Sequence, residues 1–523
     1  MSSRLVRLRV LLVSAFLWGI AGALVGPTPG WAVATDGTAA RQQEFRPLVA
    51  AFHVHSTVST GTLGLDELAE RAERLGLDAV ILTDNFVLRY EYGLFPLRGA
   101  IRRTFSLPSV LDYGVERYFA DVAAAQARHP NVLLVPGIEA VPHYFWTGSL
   151  FTRDLTMHNS QKNMLVFGLS QMEDMAALPI PGNPSSYRHG WNSLMNLAPG
   201  LLLVPAAWLW QRRTYRTTRV GVTAYRVAKR HRTSAVVLGG AGGLMLLAAW
   251  PFGQPVFSIY DEQLGYRPYQ AFIDAVVARD GLVIWSMPEA PDFSQYSFGP
   301  LGEVTVKTDP YPEALLHTSG YTGFGGLYQQ PRTVTQPGGV WDRALGEYLT
   351  RRREEPPFSF GEIAFHQPGS AGIELNQVLT VFWVREQTVG GVMEAMRKGR
   401  YYATGPGLRL DRFQVECNGG TQVALSGEAL DPEGARDLTV RLAVTSTDRG
   451  AYPISVTIIR SGQVLSKVAG VTPFEQQFVD ATVPPGTENF YRVEVQGGGE
   501  ILSNPIFVVP MNNRRPSLIT NQS

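Results

Sequence analysis

The stretch "AFHVHSTVST", Ala51 to Thr60, places two histidines one residue apart at the end of the apolar run "LVAAF". In an extended strand, side chains i and i+2 leave the same face, so His53 and His55 project together. Two imidazoles aimed at one point are suited to a metal ion, because a neutral ring nitrogen is a good ligand for zinc and its neighbours. A catalytic zinc takes three protein ligands and keeps one position for water, which then ionises near neutral pH. The pair therefore asks for further ligands from elsewhere in the chain.

The elements that must position them alternate. Between Leu48 and Gly405, short aliphatic runs are separated by helical patterns. The runs expected as strands are Leu48–His55, Ala79–Thr83, Val132–Pro136, Asn163–Leu169, Leu282–Ser286, Gly302–Lys307 and Gly361–His366. In "GLDELAERAERLG", Leu65, Leu68, Ala69, Ala72 and Leu75 form one apolar stripe at helical spacing. "FADVAAAQARHP", "YQAFIDAVVARDG" and "TVGGVMEAMRKG" have the same texture, and Pro130 stops the first. Such alternation predicts an α/β fold with parallel pairing and helices outside, either a barrel or a doubly wound sheet. After Gly405 the helical patterns end. Alternating strands separated by Gly, Pro and Asp turns predict a β-sandwich over residues 408–510. The tail, 511–523, is expected to be disordered.

The chain has 523 residues, 45% hydrophobic and 17% charged, which predicts two or three globular parts. Its net charge of +1 offers no overall attraction to a polyanion, so no nucleic-acid partner is expected. Cys417 is the only cysteine and excludes an intrachain disulfide, which leaves export open. Export is what the N-terminus suggests. "MSSRLVRLR", the apolar stretch from Val10 to Val25 and the small-residue site Ala32-Val33-Ala34 fit a signal peptide or an uncleaved anchor over 1–34.

Two further apolar runs, Leu194 to Trp210 and Ser234 to Phe252, are near the length of about 20 residues that crosses a bilayer. The segment between them, "QRRTYRTTRVGVTAYRVAKRHRT", has eight Lys or Arg and no acid, which places it on the cytoplasmic side. Residues 194–252 thus read as a membrane hairpin that tethers two exported halves. Pro199, Pro205 and Asn196 keep open the alternative of a buried or interfacial helical pair. No Walker loop, His-Glu-x-x-His helix or Gly-x-Ser-x-Gly elbow is present. "GGAGG", Gly239 to Gly243, lies inside the second run, where close helix packing explains it.

The segment "HVHSTVSTGTLGLDELAERAERLGLDAVILTDN" resembles the opening of the PHP (polymerase and histidinol phosphatase) family of metal-dependent phosphoesterases. "VPGIEA" is similar to that family's Gly-x-Glu element, "GLVIWSMP" to its strand ending in His-Pro, "EIAFH" to its late Asp-x-His and "GRYYATGP" to its closing segment. The resemblance implies a distorted seven-stranded (β/α) barrel over 46–407, interrupted by the hairpin. It also implies a metal centre that retains His53, His55, Glu139 and His366. Where the family has further ligands, this chain has Thr60, Asn85, Met287 and Ala364, and Asn163 replaces another unless His158 supplies it.

Bridging carboxylates hold the ions of a multinuclear phosphoesterase, and methionine, here in place of a family histidine, is too soft a ligand for a hard or borderline cation beside them. The expectation is therefore at most one tightly bound divalent ion, zinc or manganese, on His53, His55 and Glu139. His366 is left as fourth ligand, proton donor or structural residue. Asp84 either accepts a hydrogen bond behind a ligand or caps the next segment. The aromatic loop Pro142 to Gly148 either lines a pocket or packs on the rim. Three functions are compatible with this set: a membrane-tethered extracytoplasmic hydrolase of a phosphorylated small molecule, a binding pseudoenzyme, or an envelope protein whose sandwich recognises an unspecified partner.

Overall fold

A computed structural model describes residues 45–510 apart from 96, 251, 298–302, 370–372, 433–436 and 484–485. The expected export segment, 1–34, and the expected disordered tail, 511–523, lie outside the described residues.

Arg46–Val54 (β1) is apolar and almost wholly buried from Leu48 onward, as a strand covered on both faces must be. Leu65–Arg74 (α1) comes next, with Asp66 and Glu67 in its first turn and Arg71 and Arg74 in its last, all complementing the helix dipole. Its stripe buries Leu68, Ala69 and Ala72. Beyond it lie Ala79–Leu82 (β2), Asp84–Asn85 (β3), Val115–Arg128 (α2), Leu133–Val135 (β4), Gly137–Ala140 (β5) and Met164–Phe167 (β6). Arg267–Val277 (α3), Leu282–Trp285 (β7), Gly323–Leu327 (β8), Val340–Leu349 (α4) and Phe358–Gly361 (β9) complete this region.

The strands pair in two sheets. β1 pairs with β2, β2 with β4 and β3 with β5, all parallel. β6 pairs antiparallel with both β5 and β7, and β7–β8–β9 are parallel again. The chain leaving β9 then returns to β1. Ile363 N donates to Phe52 O at 3.0 Å, Phe365 N to His53 O at 2.9 Å and His55 N to Phe365 O at 2.9 Å. Phe52, stacked on Phe360 at 4.9 Å and tilted against Phe167 at 5.7 Å, fills the interior.

Three expectations need correction. Pairing is mixed rather than all parallel. Between β5 and β6 the chain makes a strand excursion, Phe145–Thr147 with Thr156–His158, instead of a crossover helix, so β6 enters reversed. The strand expected at Gly302–Lys307 is Glu303–Thr308, and it pairs with Asp292–Ser297 and Thr156–His158 in a separate sheet. The place between β7 and β9 belongs to β8, "GFGGL", whose glycines depress strand propensity and hide it. The strand expected at Gly361–His366 ends at Gly361, since Ala364, at φ +46°, breaks the pleat.

Leu379–Val384 (β10), Val389–Lys398 (α5) and Tyr401–Thr404 (β11) lead to the C-terminal strands. Leu408–Cys417 (β12), Gln422–Leu425 (β13), Leu438–Ser446 (β14) and Phe474–Asp480 form one sheet, ordered β13-β12-β14 and then Phe474–Asp480. Strand β14 alternates buried and half-buried residues along its length, with one face turned inward. Opposite lie Pro453–Arg460, Gln463–Val471, Asn489–Gln496, Glu500–Ser503 and Ile506–Val508. These continue through β11 and β10 into β1 as one 11-stranded sheet. Val440, Leu442 and Val444 share a second core with Val456, Ile458, Tyr491 and Val493. Where the two cores meet, fully buried Arg492 forks onto Asp342 of α4, at 2.7 and 2.8 Å, and lies over the Trp341 ring.

Residues Ser193–Gln211 and Arg232–Ala249 form two helices long and apolar enough to cross a membrane, and little of either is buried. The first is not uniformly α: Trp191–Leu202, which contains Pro199, is 3₁₀, and Leu203–Gln211 is α. A Cβ on Gly242 would meet Leu202 Cβ and Pro199 O at 3.1 Å, so the glycines do permit close packing there. The basic connection expected as a loop is a two-stranded ribbon.

Candidate metal centre

The end of β1 carries the site, and it is not a plain strand. The β1–β2 register shifts between Phe52 and Val54, and His53 occupies the bulge at φ +74°. His53 and His55 therefore converge through a bulge rather than by simple alternation. Their Nε2 atoms lie 3.1 Å apart. Glu139, from β5, brings Oε1 to 3.2 Å from His53 Nε2 and Oε2 to 3.6 Å from His55 Nε2. All three are buried, and each offers one ligand atom within 4.8 Å of the others'.

Polar groups behind these three fix their orientation. Glu362 Oε2 sits 3.0 Å from His53 Nδ1 and accepts from Ser286 Oγ at 2.8 Å. That contact turns the other ring nitrogen toward Glu139. Glu362 is fully buried, and its Oε1 has no hydrogen-bond partner among the described residues. Buried Asp84 accepts from Ser56 N and Oγ at 2.8 Å each and from Ser59 Oγ at 2.7 Å. Asp84 thus organises the turn that carries His55, through Ser56 and Ser59 rather than through a ligand ring. Glu139 in turn accepts from Asn85 Nδ2 at 2.5 Å and Asn163 Nδ2 at 2.7 Å.

Electrostatics separates the three candidate ligands. Burial alone would lower His53, but Glu139 on one nitrogen and Glu362 on the other hold it at about 9. Burial alone would raise Glu139, but His53 and His55 pull it down to about 2. Burial keeps His55 well below the ordinary histidine range despite Glu139. At neutral pH His53 thus carries a proton on each ring nitrogen, and the one on Nε2, facing Glu139, stands where a bond to a divalent cation would form.

At the substituted positions neutral groups stand beside the three candidate ligands. Thr60 Oγ1 donates to Asn85 Oδ1 at 3.1 Å and lies 2.9 Å from His366 Nδ1, and Asn85 continues to Glu139. Neutral groups close that side. Met287 and Ala364 keep turned backbones, at φ +38° and +46°, but present no hard ligand. His366 is exposed at the rim and stacks on His55 at 4.1 Å, outside the compact group of three. His158 is remote from it, hydrogen-bonded to Thr147 and stacked on Phe145, so Asn163 is the residue at the site. The aromatic loop packs on the rim, with Tyr144 in a small core and Trp146 Nε1 donating to Glu91 O.

Sequence reasoning missed Glu362 and Ser286. The visible signal was an acid in the otherwise apolar run "FSFGEIAF", since a buried carboxylate needs a partner. Gly325 explains a further constraint. A Cβ there would lie 2.3 Å from Glu362 Oε1 and 3.0 Å from Met287 N. Gly325→Ala is expected to leave a folded chain whose zinc affinity is about tenfold weaker or worse, through displacement of Glu362 from His53. Circular dichroism beside a zinc titration checks this; unchanged affinity would mean Glu362 has no part in holding His53.

No protein-family model matches the chain, and no curated protein matches it. Solved structures do. One is a two-domain protein containing a predicted PHP-like metal-dependent phosphoesterase from Bacteroides vulgatus, 11% identical, covering 86% of this chain and 91% of that one at a TM-score of 0.34. Another is an amidohydrolase from Chromobacterium violaceum, 15% identical, covering 66% and 96% at 0.27. A candidate metal-dependent phosphoesterase from Bifidobacterium adolescentis is 14% identical, covering 62% and 89% at 0.26. The solved structures similar to this chain thus include PHP-like metal-dependent phosphoesterases, at low identity and low TM-score.

Proposed function

We propose that the chain is a divergent PHP-like barrel protein that holds one zinc or manganese ion on His53, His55 and Glu139 and hydrolyses a phosphoester. The observation that carries this is the buried two-histidine, one-carboxylate group with Glu362 behind it, its second oxygen unpaired. Two imidazoles and a carboxylate are a suitable set for zinc and leave a position for water. A bound ion would supply Lewis acidity toward a phosphoryl oxygen and a more acidic water. The chain's own residues set the rest. Glu362 fixes the His53 ring, Asn85 and Asn163 aim the Glu139 carboxylate, and His366 with Thr60 stands at the rim where a proton could be given to a leaving group.

The second reading, a pseudoenzyme that binds a ligand or protein, is favoured by one feature. Both Glu139 oxygens already accept amide hydrogens and His53 carries its own proton, so these two ligand groups are satisfied without an ion. The setting proposed for either is the extracytoplasmic face of the membrane, with residues 194–252 as tether, 408–510 as a β-sandwich and a phosphorylated small molecule as substrate. The length, apolarity and exposure of the two helices support the tether.

Elemental analysis of the full chain purified without chelator is the first test. Near-stoichiometric metal is expected, lost in the His53→Ala, His55→Ala double variant and in Glu139→Ala. Metal without hydrolysis of phosphomonoesters or phosphodiesters would select the pseudoenzyme. Metal in neither protein would overturn the centre itself.

A further inference from the structure

The ribbon between the two apolar helices is the feature the proposed function leaves unused. Arg213–Val220 and Thr223–Arg230 pair antiparallel and turn at Gly221, φ +63°. Apart from half-buried Thr214, every strand residue is exposed. Side chains directly opposite share a face. One face therefore groups Arg213, Arg219, Arg226 and Arg230 around Tyr215, with the Arg226 guanidinium 5.5 Å from the Tyr215 ring centre. The other groups Arg216 and Lys229 with Val220, Tyr225 and Val227. No acid occurs between Gln211 and Thr233. At the base, Arg212 lies over Trp208 at 4.4 Å and Arg232 over Trp210 at 5.3 Å, an indole level of the kind found where apolar helices leave a bilayer.

A lone two-stranded ribbon is marginal in water, and the facing pair Arg213 and Arg230 weakens it further. Both facts call for a surface of opposite charge. We infer that the ribbon lies against anionic phospholipid headgroups of the leaflet where the two helices end. This rests on the membrane reading of residues 194–252. The helices hold the ribbon within a Debye length of that surface, so no other polyanion competes at equal distance. Tyrosines and valines among the cations suit partial insertion at headgroup depth, which a purely ionic contact with nucleic acid would not use.

The test uses the full chain carrying Val222→Cys, labelled at the ribbon tip with an environment-sensitive fluorophore; buried Cys417 is the only other thiol. It is reconstituted in vesicles of phosphatidylcholine alone and of phosphatidylcholine mixed with phosphatidylglycerol. A lipid-borne quencher is expected to act several-fold more strongly in the anionic vesicles, with the difference removed by high salt and by Arg219→Gln with Arg226→Gln. Carbonate-resistant flotation in the neutral vesicles reads the helices separately. If the chain floats and quenching is equal in both lipids, the headgroup inference falls and the tether stands. If it does not float, the membrane reading falls and takes the inference with it. A probe that responds to added RNA but not to lipid charge also overturns the proposal.

Discussion

Zinc affinity is expected to rise about a hundredfold between pH 7 and pH 9 and to level above that. His53 holds its proton up to about 9 between Glu139 and Glu362, and an ion must displace that proton to bind. Each pH unit below 9 therefore costs about tenfold in apparent affinity. Glu139, down at about 2, is ionised throughout, and His55 is neutral, so neither adds to the slope. A chelator-competition titration at pH 7, 8 and 9 checks the rise, and a flat profile would show that His53 is not a ligand. The same shifts govern stability without an ion. The raised His53 contributes stability fully below its ordinary 6.5, and that contribution fades as pH climbs through about 9. The depressed Glu139 contributes above its ordinary 4.5 and loses it as pH falls toward 2. This pair stabilises most fully between those two ordinary values.

The second large effect lies far from the metal. Arg492→Ala is expected to destabilise the chain by about 3–5 kcal/mol, because it strands Asp342 in the interior. Arg492 is fully buried and forks onto Asp342, donates to Thr335 O at 2.8 Å, reaches Glu494 and covers Trp341. Replacing the pair together, Arg492→Met with Asp342→Leu, should recover most of the loss, since the cost is the unpaired charge rather than the missing attraction. Urea unfolding of the single and double variants measures both. A single-variant loss below about 1 kcal/mol would mean that water reaches Asp342.

Much of the site was legible because its signals are local. The run "LVAAFHVH" announces a buried strand that ends in two candidate ligands, and the apolar stripe of α1 marks the helix that packs beside it. Glu139 and the substituted positions came from resemblance, since nothing in their own neighbourhood marks them. What escaped depends on distant partners. Strand β8 is glycine-rich because Glu362 and Phe358 crowd it, a constraint that no window around "GFGGL" contains. The reversal of β6 is set by how its connection folds, and residue type does not encode strand direction. The basic ribbon was hidden by charge, which reads as loop, although its Thr, Tyr and Val residues favour strands.

The antiparallel partner of β1 sets an order of events. Leu48 faces Phe382, and the two sheets join here only when Ile363 and Phe365 reach Phe52 and His53. The strand bearing both histidines is made early, and its neighbours on that side emerge after the two apolar helices. Until then one edge of β1 stays open, an invitation to pair with any other unfinished strand. Its contacts are among the most distant in the chain, so this edge should join late and slowly. Assembly of the centre thus waits until the segment through Phe365 has been made, and a truncated product ending before Phe358 would carry both histidines without the backbone bonds that Ile363 and Phe365 make beside them.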